Sequence, residues 1–149
     1  MLNLAQYRAI VRASAYYDLI VTAAFATPWS FALAHTQLSR LNQWLGGTAL
    51  PEFTPFHLLF ACLMGSVVLV WSLLRLLHPQ SHHGRYDGSA RLLFSTWMLW
   101  TLQATGAPLL WLFIVPELAW GVAQWLPYQR DTQQTGAVLM PLAPAGRGT

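Results

Sequence analysis

Long uncharged runs alternate with short polar segments along this 149-residue chain. Between residues 13 and 34 only Asp18 is charged, and residues 58–74 carry no charge at all. A helix that crosses a bilayer needs about 20 mostly apolar residues. The pattern therefore predicts membrane spans at about 13–34 and 57–77.

The third uncharged run is too long for one helix. It extends over residues 92–129 and is broken only by Glu117. The sequence Gly106-Ala107-Pro108 lies near its middle, and glycine and proline are the strongest local helix breakers. We therefore divide the run into spans at about 88–105 and 109–127, which makes the predicted fold an all-α, integral membrane four-helix bundle.

Composition and charge support a membrane location. Hydrophobic residue types make up 55% of the chain and charged types 9%, whereas an ordinary soluble domain carries about 25% charged residues. If the N-terminus is cytoplasmic, four spans leave only Arg40 outside. The arginines on the inside are Arg8, Arg12, Arg75, Arg85, Arg91, Arg130 and Arg147. This bias follows the positive-inside rule and predicts a bacterial inner-membrane protein with both termini in the cytoplasm. Because the arginines border apolar runs and do not form one basic face, we expect no nucleic-acid partner.

Two segments outside the spans have their own character. In the first outer loop, Leu38, Leu41, Trp44 and Leu45 recur at helical spacing, which predicts a short interfacial helix that ends at Gly46-Gly47. Residues 131–149 are rich in Gly, Pro, Thr and Gln, which predicts a disordered cytoplasmic tail. Residues 1–130 then form one transmembrane domain.

Glu117 is the first candidate for a functional residue, because ionisable groups inside a span are costly and often functional. It follows Pro116, and Gln124 lies seven residues later on the same helical face. Two interpretations stay open. Glu117 binds a ligand or a proton, or it is a structural acid that is hydrogen-bonded to a neighbouring helix.

Asp18 and Arg91 are predicted at similar depths near the cytoplasmic boundary. An ion pair between their helices would satisfy both charges. Asp87 precedes Arg91 by four residues and therefore shares its helical face. We predict a structural charge cluster of Asp18, Asp87 and Arg91, and we count Asp18 and Arg91 with Glu117 and Gln124 as candidates for ligand or proton binding.

The sequence has few residues that indicate catalysis or cofactors. The single cysteine, Cys62, lies within an apolar run and is expected to be a small buried residue. His57 stands alone, and His78, His82 and His83 lack the spacing and the further ligands of a metal site. We therefore predict no metal and no cofactor, and we do not expect an enzyme.

Several stretches resemble an uncharacterised group of small bacterial four-helix membrane proteins. They are residues 17–29 beginning Tyr17-Asp18, the Leu-Leu-Phe-Ala run at 58–61, Gly84-Arg85-Tyr86-Asp87 leading to Arg91, and Glu117-Leu118-Ala119-Trp120-Gly121. The layout, in which a short turn joins the last two spans, is similar to that of DoxX-like proteins. The resemblance covers about residues 12–126 and implies the architecture, but no shared activity.

The first functional hypothesis is a non-enzymatic accessory subunit or small-ligand binder, working as a homo-oligomer or within a larger membrane complex. The alternative is a proton-coupled transporter of a small solute that works as an oligomer through Glu117. A lipid- or quinone-modifying membrane enzyme is the lowest alternative, because no nucleophile–base pair is recognisable.

Overall fold

Five α-helices make up most of the chain in the computed structural model, which describes residues 1–129. They are α1 (Leu4–Ala23), α2 (Pro28–Trp44), α3 (Pro55–Leu77), α4 (Ser81–Thr105) and α5 (Trp111–Trp125), with a 3₁₀ turn at Pro108–Leu110. No β-strand occurs in the described part, where one isolated bridge joins Leu2 to Tyr128. The predicted all-α class is confirmed. The predicted tail at 131–149 lies outside the described residues.

The first apolar run is not one continuous helix. α1 ends at Ala23 and α2 begins at Pro28, with a bend of 92° between them. Proline lacks an amide hydrogen and its ring clashes with the preceding turn, so it ends one helix and suits the first position of the next. Thr27 caps α2, since its hydroxyl oxygen accepts a hydrogen bond from the Ser30 amide at 3.2 Å. The prediction of one continuous helix over residues 13–34 is therefore wrong, since two helices share this run.

The helix that the sequence predicted around residues 38–45 is present, and it is longer than expected for the same reason. α2 has 17 residues, because it begins at the proline and not near Leu38. Its C-terminus is as predicted, since the helix ends at Trp44 and Gly46 follows with a positive φ of 90°.

α3 is a long, strongly apolar helix that is little buried within the protein. It has 23 residues. An 18-residue stretch of this helix has a mean hydropathy of 2.1, and only 11% of that stretch is buried within the protein. Of residues 1–129, α3 is the one straight helix that is long and apolar enough to cross a membrane, and α1 with α2 would count as a second candidate only if the bent pair were one broken span.

α4 begins earlier than the span predicted at 88–105. Pro79 disfavours the helical conformation at His78, so α3 ends at Leu77 and a new helix starts at Ser81. At the other end, Gly106 takes a left-handed conformation with φ of 65°, which terminates α4 where the sequence indicated a break.

The helices pack in two pairs, α1 with α3 and α4 with α5, and α1 also contacts α4 and α5. Gly65 of α3 permits close packing against the turn between α1 and α2, because a Cβ atom there would lie 2.6 Å from the backbone of Phe25. At one end of the bundle, Asn42 donates to the Thr48 carbonyl and accepts from the Leu109 amide, which joins the α2–α3 and α4–α5 connections.

The polarity of the interior is inverted. Among the described residues, six hydrophobic side chains are buried, while nine polar or charged ones are: Ser14, Asp18, Asn42, Ser72, Arg75, Asp87, Arg91, Ser95 and Gln124. Large apolar side chains cover the outside instead, and on α3 they include Phe60 at 66% and Val67 at 65% exposure. The helices therefore meet largely through polar and small residues.

Candidate functional site

Five charged side chains from four helices meet in the interior of the bundle. We call them the ion-pair network: Asp18 of α1, Arg75 of α3, Asp87 and Arg91 of α4, and Glu117 of α5. Buried charges are tolerated when they are paired and hydrogen-bonded. The network does both, and it ties together elements that are distant in the chain.

Arg91 contacts all three carboxylates. Its Nη2 lies 2.8 and 2.7 Å from Oδ1 and Oδ2 of Asp18, its Nη1 lies 2.8 Å from Oε2 of Glu117, and its Nε lies 3.1 Å from Oδ2 of Asp87. A planar guanidinium presents several donors in a fixed fork, which a lysine cannot imitate. Arg91 therefore connects α1, α4 and α5 through one side chain.

Arg75 connects α3 to the same carboxylates. Its side chain is fully buried and forms ion pairs with Asp18 and Asp87. It also donates to the hydroxyl oxygens of Ser14 and Ser72, each at 3.3 Å. The sequence analysis counted Arg75 only as an inside charge and missed it as a site residue. The signal in the sequence was helical spacing, because Arg75 follows Ser72 by three residues and therefore lies on the same side of α3. The structure buries Gly65, Ser72 and Arg75 together.

Asp87 is the acceptor that the neutral donors share with the arginines. Its Oδ2 also accepts from Nε2 of Gln124 at 2.6 Å, and its Oδ1 accepts from the indole Nε1 of Trp71 at 3.0 Å. Hydrogen bonds to a charged group contribute more than neutral ones, about 1.5–3 kcal/mol each. Asp87 is thereby fixed by α3 and α5 as well as by its own helix.

Gln124 extends this contact to the N-terminal half of α1. Its Nε2 donates to the Ser14 hydroxyl at 2.7 Å, and its backbone carbonyl accepts from the Tyr7 hydroxyl at 2.6 Å. Burial raises the pKa of Tyr7 above its ordinary value, so the phenol stays protonated and can donate this hydrogen bond. Tyr7 and Gln124 thus hold the end of α5 against α1.

The local sequence of α4 explains why its charges point inward. Each of the buried residues Gly84, Asp87, Gly88, Arg91 and Ser95 lies three or four positions from another of the set, so they form one stripe along the helix. The two glycines permit close approach, because a Cβ atom at position 84 or 88 would lie 2.6 Å from the Tyr7 hydroxyl or 2.9 Å from the Trp125 ring. Bulky side chains lie on the opposite side of α4, among them Leu93 at 61% exposure.

Glu117 is the least enclosed member of the network. Its side chain is 13% exposed, compared with 0% for Arg75 and 2% for Arg91. Only its Oε2 is hydrogen-bonded among the described residues. The network holds three carboxylates and two guanidinium groups, so with every group ionised it carries one excess negative charge. The carboxylate oxygen that has no donor among the described residues is Oε1 of Glu117.

A cavity of about 360 Å³ lies against this carboxylate. One part of its wall is charged and includes Asp18, Arg91 and Glu117. Apolar side chains form another part, and they are Met64, Val67 and Val68 of α3 and Phe94 of α4. The cavity can therefore accommodate a small molecule with one polar and one apolar end.

Among the described residues, no histidine takes part in the ion pairs of the network, although the His83 ring packs against Trp71 with 5.4 Å between the ring centroids. His57 Nδ1 lies 3.1 Å from the Thr54 hydroxyl, and His83 Nδ1 lies 3.1 Å from the carbonyl of His78. His82 and His83 contact each other through their rings at the start of α4. Within residues 1–129 no group of three or more His, Cys, Asp or Glu side chains is placed to hold a metal ion.

All four predicted ligand or proton candidates, Glu117, Gln124, Asp18 and Arg91, lie in or beside the network, and Asp87 joins them. No family model, curated protein or solved structure matches this chain. The similarity to DoxX-like proteins therefore stays a prediction, and function has to be argued from the site.

Proposed function

We propose that this chain is an integral inner-membrane protein that binds a small amphipathic ligand in the cavity beside Glu117. The ligand carries a cationic or hydrogen-bond-donating head group, which contacts the carboxylate, and an apolar portion, which lies against α3. The protein acts as a non-enzymatic binding or accessory subunit, either as a homo-oligomer or within a larger membrane complex.

The inverted polarity of the bundle supports membrane insertion. In water, exposing the apolar surface of α3 would cost about 25 cal/mol for each Å². In a bilayer the same surface contacts apolar lipid tails, so this cost is absent. Helices in a bilayer associate through close packing of small residues and through interhelical hydrogen bonds. Gly65 allows α3 to pack closely against the turn that follows α1, and Ser14 of α1 accepts an interhelical hydrogen bond from Arg75 of α3.

The two ends of the bundle support the proposed topology. Residues 42–48 and 109 are hydrogen-bonded to one another at one end. At the other end, Leu2 pairs with Tyr128, and Arg85 stacks on the Trp125 ring with its Cζ 5.1 Å from the ring centroid. Segments that the positive-inside rule assigns to the same side of the membrane thus lie together.

Glu117 carries the ligand hypothesis. It is the only residue in the described network with an unpartnered carboxylate oxygen beside the cavity, and with every group ionised the network would carry one excess negative charge. A cationic head group would balance this charge and supply the missing donor. The apolar wall formed by Met64, Val67 and Phe94 would bury the rest of the molecule.

Proton-coupled transport through Glu117 is the second candidate function. The excess negative charge favours it as well, since a proton can balance the network in place of a ligand. Neutralising Glu117 would release Arg91 from one of its three carboxylates and so alter the contact between α4 and α5. Such a carrier would act as an oligomer, because the four predicted spans would enclose only a narrow interior.

Binding of decylammonium to the purified protein in an uncharged detergent tests the ligand site, with decyl sulfate as the anionic comparison. We expect saturable binding of the cation to the wild type and at least tenfold weaker binding to Glu117→Gln, about the effect of losing one charge-assisted hydrogen bond. Glu52→Gln is the matched control, because Glu52 is exposed and lies outside the network. Equal binding to both variants and the wild type would refute the site.

Proton-coupled uptake in vesicles separates the two candidates. If Glu117→Gln inserts normally and abolishes proton-coupled uptake of a solute, the transport function is supported. If wild-type vesicles bind decylammonium but show no such uptake, the binding function stands alone.

A further inference from the structure

A second concave surface lies away from the ion-pair network, between the N-terminal half of α1 and the α3–α4 connection. This groove has a volume of about 700 Å³. Arg8, Arg12 and Tyr16 line it on one side, and His78 and Gln80 line it on the other. We call it the arginine groove.

Arg8 and Arg12 have no acidic partner. Both side chains are exposed, and neither takes part in an ion pair or a hydrogen bond within residues 1–129. They are four residues apart on one helix, where like charges repel and destabilise the helix slightly. A bound anion between them would remove this repulsion.

The surrounding charges leave the groove positive. The three carboxylates of the network are engaged by Arg75 and Arg91. The remaining described acid, Glu52, precedes α3, whose 23 residues place it about 35 Å from the groove. No described carboxylate therefore competes for Arg8 and Arg12.

The geometry favours a phosphate group. A guanidinium group can donate two parallel hydrogen bonds to phosphate oxygens, and Arg8 and Arg12 lie about one turn apart on α1. Alanines at positions 5, 9 and 13 leave space beside them, and the Tyr16 side chain, 58% exposed, offers a further hydroxyl donor. The arginines immediately precede the first uncharged run of the chain, which is where lipid head groups lie if that run enters the bilayer.

We propose that the arginine groove binds the phosphate of an anionic phospholipid of the cytoplasmic leaflet. This inference rests on the membrane insertion proposed above, but not on the ligand site at Glu117. Arg8 and Arg12 hold the phosphate, and Tyr16 and Gln80 contact the polar head group.

The test is a titration of the purified full-length chain, in an uncharged detergent, with short-chain phosphatidylglycerol, and native mass spectrometry counts the bound lipid. We expect the Arg8→Gln/Arg12→Gln double variant to bind about 30-fold more weakly, from a contribution of about fivefold for each arginine near an anionic head group. Arg40→Gln is the matched control, because Arg40 is an exposed arginine on α2 and should leave binding unchanged. If circular dichroism shows that the double variant has lost helix, each single variant is tested, and a loss of about fivefold is expected.

Equal binding of phosphatidylglycerol to the double variant and the wild type would overturn the proposal. So would equal binding of phosphatidylcholine, and so would displacement of the lipid by an equal concentration of inorganic phosphate, which would assign the groove to a free anion. Carbonate extraction of membranes measures insertion separately. If the chain stays with the membrane pellet but does not prefer phosphatidylglycerol, the lipid-binding proposal is refuted and membrane insertion is not. Because the groove is separate from the Glu117 site, Glu117→Gln should bind phosphatidylglycerol as the wild type does.

Discussion

Nη2 of Arg91 on α4 lies 2.8 and 2.7 Å from the two carboxylate oxygens of Asp18 on α1, although the residues are 73 positions apart in the chain. One nitrogen atom thus joins the helix that begins the bundle to the helix that carries its central stripe of polar residues. The remaining guanidinium nitrogens of Arg91 hold Asp87 and Glu117. This side chain coordinates three of the four helices that form the network.

Replacing Arg91 should therefore destabilise the fold strongly. Arg91→Gln leaves three buried carboxylates with one guanidinium, and removing one partner of a buried pair costs about 3–5 kcal/mol. The thermal unfolding midpoint in an uncharged detergent measures the loss. Arg40→Gln, an exposed arginine outside the network, should change the midpoint little. If both variants unfold at the wild-type temperature, the network does not hold the bundle together.

The Asp18–Arg91 pair should behave as a coupled unit. Asp18→Asn removes the acceptor of the Asp18–Arg91 contact and Arg91→Gln removes its donor, so the double variant loses this contact only once. It should be less destabilised than the sum of the single variants by about 0.5–3 kcal/mol. A double-mutant cycle on the unfolding free energy measures this coupling. Strict additivity would mean that the contact contributes nothing to stability.

Trp71 should be important for its indole nitrogen as well as for its bulk. Trp71→Phe removes the hydrogen bond to Oδ1 of Asp87, which we expect to cost about 1.5–3 kcal/mol of unfolding free energy. Trp100→Phe is the comparison, since Trp100 is 64% exposed and should tolerate the change. A tryptophan at position 71 that can be replaced without loss would show that Asp87 does not depend on it.

The α1–α3 crossing should tolerate no side chain at Gly65. In Gly65→Ala the added Cβ meets the backbone of Phe25, in the turn that follows α1, at 2.6 Å. Because backbone cannot rotate away, α3 must move away from this turn at a cost of about 1–3 kcal/mol. Gly121→Ala is the matched control, since its Cβ would lie 3.7 Å from the nearest atom, an ordinary contact. Equal unfolding midpoints for the two variants would contradict this packing.

Topology has its own test. Reporter fusions after residues 45 and 107 should report outside, and fusions after 82 and 135 should report inside, because the positive-inside rule places the arginine-rich segments in the cytoplasm. Retention of the chain in the membrane pellet after carbonate extraction is expected at the same time. Recovery in the aqueous phase would remove the basis for the membrane assignment.

The sequence by itself determined the helical class and the positions of several helix ends, because these depend on local chemistry. The break at Gly106 follows from the left-handed conformation that glycine adopts easily, and the end of α2 follows from the glycines after Trp44. The same local reasoning about proline was available at Pro28, where a continuous apolar run concealed the 92° bend.

The sequence also predicted that Asp18, Asp87 and Arg91 meet, and these ion pairs are present, but only the tertiary structure decided how the rest of the network is assembled. Helical spacing placed Asp87 and Arg91 on one face of α4, but it could not show that Arg75 comes from α3 to share their carboxylates, or that Trp71 and Gln124 complete the set. Periodicity fixes the direction of a side chain relative to its own helix. Its partner depends on how the helices cross, and that is set by small residues such as Gly65 and Gly84, which let the helix backbones approach each other.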